Sequence, residues 1–218
     1  MFVHNTKLQS TKLADPALCV QFTAGVICFS VAPVTGNIFL LLGLEDKQNL
    51  YCDFGGSINP SESPEGAAAR EFCEESLCVI NISLPVSFPE YECSIKKMLQ
   101  SRNYLAKLEI LQNTVDGIDQ VRVYYIKQIP WQPCVKKSFQ ATKEQLLNGC
   151  IIHPAVLTGK DDIKHVDDHW LEKKKIKYWS LDRLRDVLKN NGKYKQHRFR
   201  KTFLPALAIV IKHLDSIR

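Results

Sequence analysis

A mixed β-sheet with helices packed on it is the fold class that this sequence of 218 residues predicts. Three observations point there. Runs of β-branched, aromatic and leucine residues recur, divided by Pro, Gly and Asn. A capped helix signal sits in the middle of the chain and two more lie near its end. Strands and helices alternate in an irregular order, without the regular βαβ rhythm of a parallel sheet.

Residues 20–30 and 38–42 read as strands around the turn APVTGN. The stretch LYCDFGGSINPSES then reads as a glycine- and serine-rich loop. SPEGAAAREFCEESL follows as a helix, with Ser63 as N-cap, Pro64 at the first helical position and Glu65 in the first turn. Residues 104–111 and 121–129 suit two strands, joined by the polar QNTVDGIDQ. Residues 130–164 read as an insertion with a short helix around TKEQLLNG. IKYWS is a strand, and SLDRLRDVLKNNG is a helix that places Leu181, Leu184, Val187 and Leu188 on one face and stops at Asn190, Asn191 and Gly192. FLPALAIVIKHL is a buried terminal helix.

The composition, 45% apolar and 24% charged, is that of an ordinary globular protein and favours one domain with insertions. Eight cysteines are scattered singly with no CxxC pair, which argues against a zinc ribbon or a thioredoxin-type site. Several lie in apolar runs such as GVICF and NGCII and read as reduced core thiols. The first residues lack the basic-then-apolar order of a signal peptide. The run ALCVQFTAGVICFSVA falls short of the ~20 apolar residues that span a bilayer. A soluble, cytoplasmic protein in a reducing compartment is the expectation, with export by a route that needs no N-terminal signal left open. The oligomeric state is not legible. Charge is uneven: 16 basic residues face 8 acidic ones from Gly159 onward, against 13 and 15 before it, so any attraction for polyanions concentrates in the last quarter.

Within REFCEE three glutamates crowd one helix face. At ~100° per residue Glu75 lies about 40° and Glu74 about 60° from Glu71. Such like charges cost an isolated helix ~0.2–0.5 kcal/mol per pair. Arg70 relieves Glu74 from four residues back, and no lysine lies a turn away from the others. A solvated acidic face is one explanation and a bound divalent cation the other. Oxygen-only ligands favour a hard ion, Mg²⁺ first and Mn²⁺ or Ca²⁺ after it.

From Gly56 the chain reads Gly, five residues, Glu62, seven residues, then Arg70, Glu71, Phe72, Cys73, Glu74, Glu75, Ser76, Leu77, Cys78. This resembles the Nudix box, G-x5-E-x7-R-E-U-x-E-E-x-G-U with U a bulky apolar residue. The resemblance covers 23 residues and departs at one of its positions, where Leu77 replaces the second glycine. It implies an α/β/α sandwich with a mixed sheet and a helix-borne catalytic box. It implies hydrolysis of a diphosphate linkage in a nucleoside diphosphate joined to a moiety X, with Mg²⁺ as cofactor and Mn²⁺ as substitute. The implied metal ligands are Glu71, Glu74, Glu75 and the Gly55 carbonyl. Arg70 would orient Glu71 or Glu74, and Glu62 would brace the loop or hold an outer-sphere water. The water-activating base stays open between a box glutamate and Glu172, for which a surface pairing with Lys173 to Lys175 is the alternative. The implied organisation is an N-terminal segment 1–15, a Nudix hydrolase domain 16–190 with an insertion at 131–165, and a basic C-terminal extension 191–218 with a terminal helix.

HVDDH, residues 165–169, places two histidines at i, i+4; it reads as a polar loop at the mouth of the site more readily than as a zinc centre, which needs a further ligand. KKKIKYW and KNNGKYKQHRFRK interleave Lys and Arg with Tyr178, Trp179, Tyr194 and Phe199. Residues 173–201 are therefore a solvated basic face or a surface for RNA, as in an mRNA-decapping enzyme, or for an inositol pyrophosphate. A non-catalytic module that binds a nucleotide is the remaining alternative.

Overall fold

The structure is a computed structural model that describes residues 20–80, 88–113, 119–148, 156–158, 164–166 and 168–217. At its centre β1 (Gln21–Val31) is buried on both faces, which explains a nearly continuous apolar run in place of alternation. Ala24, Val26 and Cys28 face one core layer, and Ile27 and Phe29 the other.

β1 pairs antiparallel with β2 (Ile38–Glu45) through its C-terminal half and with β4 (Phe54–Ser57) through its N-terminal half. The two-residue β3 (Tyr51–Cys52) pairs with β2 and leads into β4. Beyond α1 (Pro64–Ser76) and α2 (Phe88–Gln100), β5 (Ala106–Asn113) and β6 (Asp119–Gln128) form an antiparallel pair, and β6 runs parallel to β1. After α3 (Val135–Leu147) come the small pair β7 (Val156–Thr158) and β8 (Lys164–Val166) and the 3-10 turn Asp168–Leu171. β9 (Lys173–Ser180) then adds antiparallel to β2. The chain closes with α4 (Leu181–Lys189), the hairpin β10 (Lys193–Tyr194) and β11 (His197–Arg198), and α5 (Leu204–Asp215).

The sheet is mixed, with core layers on both sides: an α/β/α sandwich, as expected. α1 and α2 cover one face through Ala68, Phe72, Tyr91, Ile95 and Leu99. Leu184 and Val187 of α4 and Leu207, Val210 and Leu214 of α5 cover the other, so the terminal helix belongs to the core.

Two expectations are corrected, and one helix is added to them. Within the segment read as a loop, residues 50–63, residues 51–52 pair with β2 and 54–57 pair with β1, where Gly25 lies opposite Gly55. There a Cβ on either glycine would meet backbone atoms at 2.6 Å, so the two strands close up only where side chains are missing. The α2 helix was not foreseen, although Tyr91, Ile95 and Leu99 repeat at helical spacing. The short helix near TKEQLLNG is a 13-residue helix that buries Val135, Phe139 and Leu146. Of the cysteines, Cys28 in GVICF is a buried free thiol, as expected, and so are Cys52 and Cys73; Cys78 is half-buried, Cys93 and Cys134 are exposed, and Cys19 and Cys150 lie outside the described residues. Among the described residues no helix is long and apolar enough to cross a membrane.

α1 starts as its sequence dictates, with the Gly66 N–H donating to Ser63 Oγ at 3.1 Å. It ends where the box departs from its pattern. Leu77 adopts a left-handed conformation (φ 54°, ψ 29°) as the C-cap and is fully buried. The conformation costs a non-glycine residue ~1–2 kcal/mol, whereas emptying a leucine site costs about 2–5 kcal/mol. Burial wins, so Leu77→Gly is expected to lower the unfolding free energy by roughly 1–3 kcal/mol in urea melts. A more stable glycine variant would mean that backbone strain dominates.

Candidate active site

The box glutamates emerge where α1 lies beside β4. Arg70 organises them: its Nε and Nη2 donate to the two Glu62 carboxylate oxygens, both at 3.1 Å. Its Nη1 donates to Glu71 Oε1 at 2.7 Å and Glu74 Oε2 at 3.2 Å, and Nη2 also donates to the Ser57 carbonyl at 2.9 Å. Glu62 in turn accepts from the Asn59 N–H, which braces the loop before the helix. One guanidinium fork thus ties three carboxylates to the strand end.

The charge is not fully compensated. Burial raises the Glu71 carboxyl, with Arg70 pulling it down and Glu172 pushing it up. Burial raises Glu74 to about 7, against the attraction of Arg70. At Glu62 burial is outweighed by Arg70 and the Asn59 N–H, so that carboxyl lies below its ordinary value. Glu71 and Glu74 therefore share a single positive partner, Arg70, with Glu62, and each keeps one oxygen outside its Arg70 contact. Gly56 leaves room for this arrangement, since a Cβ there would lie 2.4 Å from Glu71 Oε1.

Glu75 behaves differently. Its Oε2 accepts from the Gly55 N–H at 2.7 Å and its Oε1 meets Lys173 Nζ at 2.8 Å, with both side chains almost wholly buried. Burial opposes the Lys173 charge, but Glu75 and then Cys52 hold it above the ordinary lysine range, while burial raises the Glu75 carboxyl to about 8 against the attraction of Lys173. The Gly55 carbonyl faces a protein cation too, Arg122 Nη2 at 3.5 Å, and the same nitrogen lies 3.3 and 3.4 Å from the oxygens of buried Asp53. Among the described residues no three His, Cys, Asp or Glu side chains are arranged to hold a metal ion. The donor set nonetheless fits a hard dication at Glu71 and Glu74, whose carboxylates are part-exposed and share one guanidinium with Glu62. Glu75 and the Gly55 carbonyl, as placed, are turned to protein cations.

Glu172 does not pair with Lys173 to Lys175. It sits half-exposed with Oε1 3.5 Å from His169 Nδ1, and both residues act electrostatically on Glu71. His165 lies on β8 and His169 in the 3-10 turn, so HVDDH is not one helical turn carrying both histidines. Lys173 was read as a surface lysine and is 1% exposed. The missed signals are Gly43, whose place in an apolar strand marks a close approach, and a bulge that the periodicity of β9 hides. In the basic segment, Lys193, Lys195 and Arg198 are exposed, but Trp179 and Phe199 are buried among core aromatics and present no ring for a base to stack on.

No protein-family model and no curated protein matches the chain. Among solved structures it is similar to the NUDIX domain of Shewanella oneidensis NrtR complexed with ADP ribose, at 15% identity over 92% of this chain and 94% of that one, TM-score 0.48. The C. elegans Ap4A hydrolase is similar at 13% identity over 92% and 100%, TM-score 0.46. A bifunctional NMN adenylyltransferase/ADP ribose pyrophosphatase from Francisella tularensis, complexed with AMP and a Mn ion, is similar at 14% identity over 91% and 43%, TM-score 0.49.

Proposed function

We propose that this chain is a Nudix-type pyrophosphohydrolase that uses Mg²⁺, or Mn²⁺ in its place, to hydrolyse a diphosphate linkage in a nucleoside diphosphate joined to a second group. The observation that carries this reading is the pair Glu71 and Glu74. Two part-buried carboxylates with raised pKa values lie against a glycine-rich strand end and are held by a single guanidinium. A fold keeps such a repulsive pair at a cost that a dication would remove.

Bound there, the cation would neutralise phosphate oxygens and lower the pKa of water. The chain's own residues do the positioning. Arg70 fixes the orientation of Glu71 and Glu74, and Glu62 fixes Arg70. Glu172, half-exposed at the rim and beside His169, is the carboxylate we assign to accept the proton of the attacking water. Glu71 and Glu74 are committed to the cation and Glu75 to Lys173, which leaves Glu172 for that role.

A panel of dinucleoside polyphosphates, nucleotide sugars, ADP-ribose, NADH, capped RNA and inositol pyrophosphates, each with Mg²⁺ or Mn²⁺, tests the reading. Hydrolysis of at least one nucleoside diphosphate derivative is expected, abolished by EDTA and restored by Mg²⁺. Turnover confined to capped RNA or inositol pyrophosphates would move the substrate class and keep the bond class. No turnover on any member would overturn the proposal.

A further inference from the structure

Lys173 reaches Glu75 by a route the fold has built for it. β9 pairs regularly with β2 from Ser180 back to Lys175, opposite Leu44, and the next pair is Lys173 with Glu45. The extra residue is a β-bulge, which turns Lys173 away from the face that carries Lys175, Lys177 and Trp179. The lysine stem then passes over Gly43, where a Cβ would lie 2.7 Å from Lys173 Cδ. The ammonium ends 2.8 Å from Glu75 Oε1 and 3.0 Å from Cys52 Sγ, with Glu45 Oε1 at 4.0 Å. Burial pushes the Cys52 thiol up to about 12, so it stays neutral and Glu75 is the nearest carboxyl to the ammonium.

We propose that Lys173 is a positioning residue that supplies the cation at Glu75, so that the third box glutamate is a strut between α1 and the sheet and takes no share in holding the metal. This rests on the reading of Glu71 and Glu74 as the ligands. Both Glu75 oxygens are occupied, one by the ammonium and one by the Gly55 N–H, and its side chain is 3% exposed. A dication drawn to the same carboxylate would have to share it with the lysine charge 2.8 Å away, and like charges brought together on one group repel strongly. The box glutamates thus divide into two that are part-exposed and share one arginine, and one that faces the interior and has its own lysine.

Mn²⁺ titration of the full chain, followed by the electron paramagnetic resonance signal of the free ion, tests this. Glu71→Gln is expected to weaken Mn²⁺ binding at least tenfold and Glu75→Gln by less than threefold. Lys173→Met, similar in length and uncharged, is expected to melt at a lower temperature in EDTA and to bind Mn²⁺ at least tenfold more tightly, because the freed Glu75 then turns to the ion. Equal weakening in Glu71→Gln and Glu75→Gln would overturn the proposal alone, as would a folded Lys173→Met protein with wild-type affinity. No uptake of Mn²⁺ by the wild type would overturn the cation reading and the proposal together. If Lys173→Met does not fold, the comparison of the two glutamine variants decides by itself.

Discussion

Glu71→Gln and Glu74→Gln are each expected to lower turnover by about 10²-fold or more while leaving the metal-free melting temperature unchanged or higher. A carboxylate that holds the cation contributes on the order of several kcal/mol to the stabilisation of developing charge, and every ~1.4 kcal/mol is tenfold in rate. Arg70 offsets only part of what burying that charge costs the fold. Burial raises both carboxyls, Glu74 to about 7, which means the folded protein favours the neutral form that glutamine imitates. Activity and stability are therefore expected to move apart, a pattern that simple misfolding cannot produce. Initial rates with Mg²⁺ and melts in EDTA on the same preparations supply both numbers. Wild-type rates in either variant would remove that residue from the chemistry.

Asp53→Asn is expected to cost about 3–5 kcal/mol, the range for removing one partner of a buried ion pair, or roughly 10 °C in melting temperature for a chain of this size. The Asp53 side chain is wholly buried and Arg122 nearly so, and their contact joins the β3–β4 connection to β6. Burial opposes the Arg122 charge and Asp53 sustains it above the ordinary arginine range. With asparagine at 53 the guanidinium loses its negative partner and, among the described residues, keeps neutral ones: the amide oxygen, the Gly55 carbonyl and the Tyr124 ring, 5.3 Å from its carbon. The double variant Asp53→Asn with Arg122→Met removes both charges and is expected to recover part of the loss. Thermal and urea melts check both, and a loss under 1 kcal/mol in the single variant would count against an ionised pair.

Local signals and non-local ones separate cleanly in what the sequence revealed. The Ser63 and Pro64 start of α1, the strands around the APVTGN turn, and the apolar faces of α4 and α5 are written in spacing and caps over a few residues, and the structure has them. The crowding of Glu71 and Glu74 and the role of Arg70 follow from helix geometry alone. Lys173 was hidden because its side is set by a bulge against β2, more than 120 residues earlier, and no periodicity within KKKIKYWS records that. Trp179 and Phe199 looked available for the same reason: a strand's buried face is chosen by its neighbours. The glycine-rich 51–57 segment resembled a loop because the feature that makes it a strand, close pairing with Gly25, lies on another element. Leu77 was legible as an anomaly, and only the structure shows that it is also a core side chain.

Arg200 pairs with Glu45, the same carboxylate that stands 4.0 Å from the Lys173 ammonium, and the Arg200 N–H donates to the Tyr51 carbonyl at 3.0 Å. Positive and negative groups thus alternate from the chain's last fifth to the box helix. A fragment cut before Arg200 would lose more than an appendage, because Glu45 would be left to compete with Glu75 for one lysine. Minimal expression fragments drawn around the glutamates alone would carry a miswired centre.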